Sequence, residues 1–243
     1  MSLNRREFLG AGVAAVAGTA IAPGIRLIEL AEARSPEEAA TAQQRWGMLI
    51  DTNKCANGCT SCVEACHTEN GISSHNRPNT DQQWIRKINA KDPSTGKEYS
   101  LPMMCQHCEH PPCVDVCPTG ASMRREDGIV LVDRHICIGC RYCMMACPYK
   151  ARSFAHEAVE NPAHHAPRGK GTVESCTLCV HKVDRGDGTT ACAEACDQAG
   201  HKAIVFGDLK DPNSDIAKRL REETSRQLRA DLDLNTGVRY QNI

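Results

Sequence analysis

Cys105-Gln-His-Cys108-Glu-His-Pro-Pro-Cys113-Val-Asp-Val-Cys117-Pro118 and Cys137-Ile-Gly-Cys140-Arg-Tyr-Cys143-Met-Met-Ala-Cys147-Pro148 are the two runs whose reading decides the fold. The second is C-x2-C-x2-C-x3-C-P, a spacing in which three thiolates wrap one 4Fe-4S cluster and the fourth reaches a neighbouring one. Converging three side chains on one cubane requires a tight coil, which Gly139 between Cys137 and Cys140 permits. Three further residues carry the last cysteine about one helical turn away, and the proline after it turns the chain aside. A zinc site would normally use two separated C-x2-C knuckles, and Cys137 to Cys147 lacks that layout. A pair of such runs is a two-cluster module.

The bulk composition agrees. A chain of 243 residues, 41% hydrophobic, can bury the core of one or two domains. Aromatic residues are only 4% while cysteines number 16, so inorganic clusters replace part of the apolar filling. A formal net charge of -1, with no basic stripe and no aromatic-basic interleaving, excludes a nucleic-acid partner. Each oxidised cluster with four thiolates adds about -2, so cations are needed nearby. Lys54, Arg124, Arg125, Arg134, Arg141, Lys150, Arg152 and Lys182 lie close to cysteines in sequence. Taken singly, each reads as a solvated surface charge.

Asn4-Arg5-Arg6-Glu7-Phe8-Leu9, a small-residue apolar run from Gly10 to Ile25, and Ala31-Glu32-Ala33 before Arg34 read as a twin-arginine export signal cleaved after Ala33. The apolar run holds glycines and Pro23 and is too short for a comfortable membrane span. Sixteen cysteines in an exported chain would by default be disulfides. Twin-arginine export carries folded, cofactor-loaded protein, so clusters built in the cytoplasm can reach the periplasm.

Residues 34–45 form a polar tether. Trp46 to Asp51 reads as a strand leading into Cys55-Ala-Asn-Gly-Cys59-Thr-Ser-Cys62-Val-Glu-Ala-Cys66, whose first gap has one residue more than usual, absorbed at Gly58. Residues 67–100 read as a surface connection in which only Trp84 to Ile88 is strand-like. Gly128 to Asp133 is a β-branched strand arriving at Cys137. Cys176-Thr-Leu-Cys179 and Cys192-Ala-Glu-Ala-Cys196 make the fourth run, with a turn at Arg185 to Gly188 and Asp197 in place of the closing proline. Alone, this run could be two zinc knuckles. Lys202 to Asp208 is a closing strand, and a helix follows Ser214 with Ile216, Leu220, Thr224 and Leu228 on one stripe. Gly237 to Ile243 carries no assignable chemistry.

His156, His164 and His165 lie in a Pro- and Gly-rich loop and receive no role. His107 and His110 are expected to donate hydrogen bonds that shape their loop, because thiolates already fill the site.

Four runs of four use every cysteine. By the exchange rule of two-cluster ferredoxins, the second and third runs share two clusters and the first and fourth share two more. The expected ligand sets are Cys55, Cys59, Cys62 and Cys196; Cys105, Cys108, Cys113 and Cys147; Cys137, Cys140, Cys143 and Cys117; and Cys176, Cys179, Cys192 and Cys66. The fold class is α+β: two ferredoxin-like dicluster modules, the central one inserted into a split outer one, with short strands, short helices and long loops. The boundaries are a signal peptide at 1–33, an outer module at 34–100 plus 172–210, a central module at 101–171, and a C-terminal helix and tail at 211–243. C-x-x-C-H does not occur, which excludes c-type haem on this chain. With no Gly-rich phosphate fingerprint and no nucleophile elbow, the chain is expected to transfer electrons without catalysing a reaction itself.

Cys105-Gln-His-Cys108, Pro111-Pro112-Cys113, Cys117-Pro-Thr-Gly-Ala121, Cys137-Ile-Gly-Cys140-Arg-Tyr-Cys143 and Phe206 to Ser214 resemble the four-cluster electron-transfer subunits of the DMSO-reductase and NrfC family, over about Trp46 to Leu220. Within that group, the leader and the ending Gly237-Val-Arg-Tyr-Gln resemble the DsrO type, the periplasmic iron-sulfur subunits of the Dsr membrane complex of dissimilatory sulfur metabolism. The resemblance implies four 4Fe-4S clusters, an NrfD-like integral membrane quinone-reactive partner and a periplasmic multihaem cytochrome c. A same-class alternative is the electron-transfer subunit of a periplasmic molybdopterin reductase acting on polysulfide, tetrathionate or nitrite. A different-class alternative is a zinc- or disulfide-stapled secreted binding module.

Overall fold

Five consecutive buried residues, Gly47 to Asp51, make the strand β1 (Trp46–Asp51) a centre rather than an edge. The computed structural model describes residues 39–243. The export signal and its cleavage after Ala33 fall outside the described residues. Among the described residues, no helix is long and apolar enough to cross a membrane.

In chain order there follow α1 (Ser61–Asn70), β2 (Ile85–Lys91), β3 (Glu98–Met104), α2 (Pro112–Asp115), β4 (Ser122–Arg124), β5 (Val130–Val132) and α3 (Tyr142–Ala146). Then come β6 (Ser153–Phe154), β7 (Val173–Glu174), α4 (Val180–Asp184), α5 (Ala191–Gln198), β8 (Ile204–Asp208), α6 (Asp215–Glu222), β9 (Ser225–Arg226) and β10 (Val238–Gln241). The elements are few-residue strands and helices joined by long loops, an α+β arrangement of ferredoxin-like character. One four-stranded sheet has the order β8-β1-β10-β9, and three two-stranded hairpins lie outside it. β1 runs antiparallel to β8 and parallel to β10.

Three sequence expectations are corrected. The stretch 67–100 is not all connection: β2 and β3 pair antiparallel from Ile85 and Met104 to Lys91 and Glu98. Pro102 sits within β3, which a two-stranded ribbon tolerates because one side of each strand needs no partner. The helix after Ser214 is shorter than its apolar stripe: it ends at Glu222, and Thr224 and Leu228 lie beyond it as the chain turns into β9. Ser214 does cap it, its hydroxyl accepting from the Ala217 N–H at 3.2 Å. The third correction concerns the C-terminal residues. Val238 and Tyr240 are fully buried, and Tyr240 donates its hydroxyl to the Pro102 carbonyl at 3.0 Å. The tail is an inner strand of the main sheet.

Prolines decide how far each cysteine-bearing helix runs. A residue before proline is driven out of the helical region. Cys147, before Pro148, is extended at ψ 113°, and α3 stops at Ala146. α2 likewise ends ahead of Cys117-Pro118. The first and fourth runs lack that proline, and α1 and α5 continue past Cys66 and Cys196. These longer helices pack on each other.

Candidate metal centres

The sixteen cysteines are all free thiols, and eleven of them are buried. Cys105, Cys108, Cys113 and Cys147 line one small cavity, closed over by Pro111, Pro112, Val130, Tyr149 and Ala151. Cys66, Cys176, Cys179 and Cys192 line a second, walled by Met48, Trp84, Ile85, Met104 and Leu178. Cys196 does not line it, so the fourth run does not close on itself as two zinc knuckles would.

Cys196 lies instead beside the first run. Burial pushes the Cys62 thiol up to about 11; Lys87 opposes this, and neighbouring Cys55, Cys196 and Cys59 add to the rise. Helical spacing explains the exchange: Cys62 and Cys66 are four apart on α1 and Cys192 and Cys196 four apart on α5, so each helix carries its two thiols on one face a turn apart, and where the helices pack Cys62 neighbours Cys196 while Cys66 neighbours Cys192. Gly58, at φ +80°, lets the longer first gap fold back.

The remaining set is more open. Cys143 is buried with Cys137 among its neighbours, Cys137 and Cys117 are half-buried, and Cys140 is the one exposed cysteine. Gly139 sits at φ +70°, and a Cβ there would lie 2.2 Å from the Gly171 carbonyl oxygen. Only glycine lets this loop pass so close to the 171 backbone.

Thiolates crowded in apolar surroundings are unfavourable without positive charge. Burial pushes Cys105, Cys108 and Cys192 each up to about 12. The protein answers with donors. Backbone N–H groups of Ser122, Leu178 and Ala203 donate to the sulfurs of Cys117, Cys176 and Cys196 at 3.3, 3.4 and 3.3 Å. Lys87 donates to Cys55 Sγ at 2.9 Å, and Asn70 lies 3.7 Å from Cys66 Sγ.

Arg152 is the most telling cation. Only 5% exposed, it donates through Nη2 to Cys113 Sγ at 3.1 Å and to Ser122 Oγ at 2.8 Å, and among the described residues no carboxylate accepts from it. Its Nε and Nη1 atoms have no protein partner. Cys113, Cys105 and Cys143, drawn from the second and third runs, are the charges that hold its proton. A guanidinium buried this way needs an anionic neighbour. Anionic iron-sulfur clusters at the cysteine sets supply one. The residues fit 4Fe-4S clusters.

Of the other cations near the cysteines, Lys182 is also buried, its ammonium held by Glu194 at 2.8 Å. Arg125 is shared between Asp127 and Asp184 at 2.8 Å. Arg134 and Arg141 lie over the Trp84 and Phe154 rings, 4.9 and 3.7 Å from the centroids. The expectation of solvated charges fails for Arg152 and Lys182, because the chain folds back over both. Lys87, 32 residues from Cys55, is a sulfur donor that sequence spacing does not reveal.

His107 corrects another expectation. Its Nδ1 accepts, rather than donates, from the Val130 N–H at 3.0 Å. Burial, with Arg152 adding to it, holds the ring down to about 3. The imidazole is therefore neutral, with its proton on the buried Nε2, which has no protein partner. His110 is exposed.

Residues 97–208 match the 4Fe-4S dicluster domain family. The chain is 42% identical to the Hdr-like menaquinol oxidoreductase iron-sulfur subunit 1 of Archaeoglobus fulgidus, over 99% of this chain and 98% of that protein. It is 37% identical to a tetrathionate reductase subunit of Salmonella typhimurium, over 91% of this chain and 80% of the relative. It is 36% identical to protein NrfC of Escherichia coli, over 92% and 88%. With the cysteine sets and their donors in place, the chain belongs to this family of 4Fe-4S dicluster electron-transfer subunits of oxidoreductases, carrying four clusters.

Proposed function

We propose that this chain is the periplasmic electron relay between an NrfD-like, quinone-reactive membrane subunit and a multihaem cytochrome c in dissimilatory sulfur metabolism, exported by the twin-arginine route and peripheral to the inner membrane. The clusters supply one-electron transfer; the chain spaces them, buries them and tunes them through hydrogen bonds to sulfur. The ligand sets are those of the exchange rule, two clusters in the central module at 101–171 and two in the outer module at 34–100 plus 172–210.

The observation that carries the reading is the gradient of burial along the sets. Cys105, Cys108 and Cys176 to Cys196 are enclosed, while Cys140 is exposed within a rim of Ile136, Ile138, Tyr142 and Met145, themselves 48, 67, 57 and 73% exposed. An apolar rim around a surface thiolate suits a face where an electron passes to a docked partner. The Archaeoglobus relative, by its name part of a menaquinol oxidoreductase, supports a quinol-linked membrane partner.

The likeness to the tetrathionate reductase protein favours a second reading, in which the chain serves a molybdopterin reductase. Purifying the intact complex from native membranes separates the two. An NrfD-like protein together with a cytochrome c is the expected result, and a molybdopterin protein in their place overturns the sulfur-complex reading.

A further inference from the structure

Outside the cysteine sets, three side chains from separate segments meet at one point. Glu69 stands in the last turn of α1, His165 in the loop before β7, and His181 in α4. The ligand atoms they offer all lie within 4.8 Å of one another. His181 Nε2 is 2.7 Å from Glu69 Oε1, and His165 Nε2 is 3.9 Å from the same oxygen. His165 Nε2 also lies 2.9 Å from the Glu69 carbonyl oxygen. The two imidazoles are stacked, with centroids 3.8 Å apart and planes inclined at 29°.

This arrangement differs from an ordinary surface cluster in two ways. The Nε2 atoms of both rings converge on Glu69 from separate segments, His181 on its carboxylate and His165 on its main-chain carbonyl, and a bound ion would replace these hydrogen bonds. The nearby cations are already engaged: Lys182 by Glu194 at 2.8 Å and Arg185 by Asp187 at 2.7 Å. The side chains of His181, Glu69 and His165 are 11, 30 and 31% exposed, which shields the point while leaving a path for water.

We propose that Glu69, His165 and His181 bind a divalent first-row transition ion of the zinc type, with two imidazoles and one carboxylate as protein ligands and water completing the shell. Two nitrogens with one oxygen are a common donor set for zinc, and the absence of sulfur separates this site from the cysteine sets. The ion acts as a clip. Glu69 lies three residues after Cys66, and His181 two residues after Cys179. A metal bonded to both ties α1 to α4 and to the 165 loop, holding together the frame around Cys66, Cys176, Cys179 and Cys192. His165, a loop histidine without a role by sequence alone, becomes a ligand because the 165 loop packs beside α4.

The test uses untagged holoprotein, purified without oxygen with its clusters intact, equilibrated with zinc chloride and desalted. Zinc and iron are measured in the same sample, and zinc-edge X-ray absorption identifies the bonded atoms. The expected result is about one retained zinc per chain in a shell of nitrogen and oxygen only, with iron unchanged and a thermal midpoint that rises with zinc. His165→Ala and Glu69→Gln are each expected to weaken zinc binding by more than about a hundredfold at unchanged iron content, and to abolish the midpoint rise. His165→Ala, on a loop away from any cysteine run, serves should the helix variant fold poorly. No retained zinc, sulfur in the zinc shell, or equal uptake by wild type and His165→Ala overturns the proposal.

Discussion

Arg152 and Cys113 are bonded at 3.1 Å inside the protein, and the arginine has thiolates rather than carboxylates for counter-charges. Its charge lies between the second and third cysteine runs, so it acts on both. Arg152→Gln keeps polarity but removes the charge, and the potentials of the central clusters should fall by on the order of 50 to 100 mV. Arg152→Lys should recover part of that. Redox titration followed by electron paramagnetic resonance reads the shift, and unchanged potentials in Arg152→Gln would show that the guanidinium is structural only.

The exchange of fourth cysteines is testable one thiol at a time. Cys147→Ala should strip the cluster assigned to Cys105, Cys108 and Cys113, lowering iron by about four atoms and sparing the signal of the third run. Cys66→Ala should do the same to the cluster of Cys176, Cys179 and Cys192. Loss of the third-run signal in Cys147→Ala would mean that each run binds its own cluster.

Glu174 holds a buried network together. Arg168 Nε donates to its two carboxylate oxygens at 3.0 and 3.1 Å, and the Trp84 indole donates to it at 3.1 Å. Glu174→Gln leaves a buried guanidinium without its anion and should cost about 3–5 kcal/mol. The double variant Arg168→Met with Glu174→Leu should recover part of this, because the Trp84 indole N–H is then left without its acceptor. Denaturant midpoints of anaerobic protein decide it; a single variant with wild-type stability would show the pair to be dispensable.

His107 gives a pH dependence of known sign. Its folded value of about 3 lies far below the ordinary imidazole value, so the unfolded chain takes up the proton first. The stability it contributes is full above about pH 6.5 and is lost as pH falls toward 3. The rate at which denaturant bleaches the clusters should therefore rise between about pH 7 and pH 5. His107→Gln, which can still accept from the Val130 N–H, should flatten that rise. An equal slope in both proteins would assign it to acid attack on the clusters alone.

Much of this is legible in the chain because cluster ligation is written in local spacing. The four runs, the strand at Trp46 to Asp51, the closing strand, the helix start after Ser214 and the need for Gly58 and Gly139 are all set by residues a few positions apart. What escapes depends on distant residues. Arg152 and Lys182 look like surface cations until the fold covers them. Lys87 reaches Cys55 only because β2 and β3 form a hairpin whose signal Pro102 masks. The apolar stripe past Ser214 suggests a helix through Leu228, but helix geometry gives way at Glu223 to pairing with β10 through Ser225 and Arg226.

β10, lodged between β1 and β9, sets an order of events during synthesis. Among the described residues it is the last strand to leave the ribosome, yet it pairs with the first, Met48 opposite Val238 and Asp51 opposite Gln241. The isolated bridge between Cys108 and Thr236 likewise awaits that segment. Until then one flank of β1 stays bare, and the loop carrying Cys108 lacks part of its cover. A product truncated before Val238 would keep a sticky, unfinished edge for proteases or other chains to find.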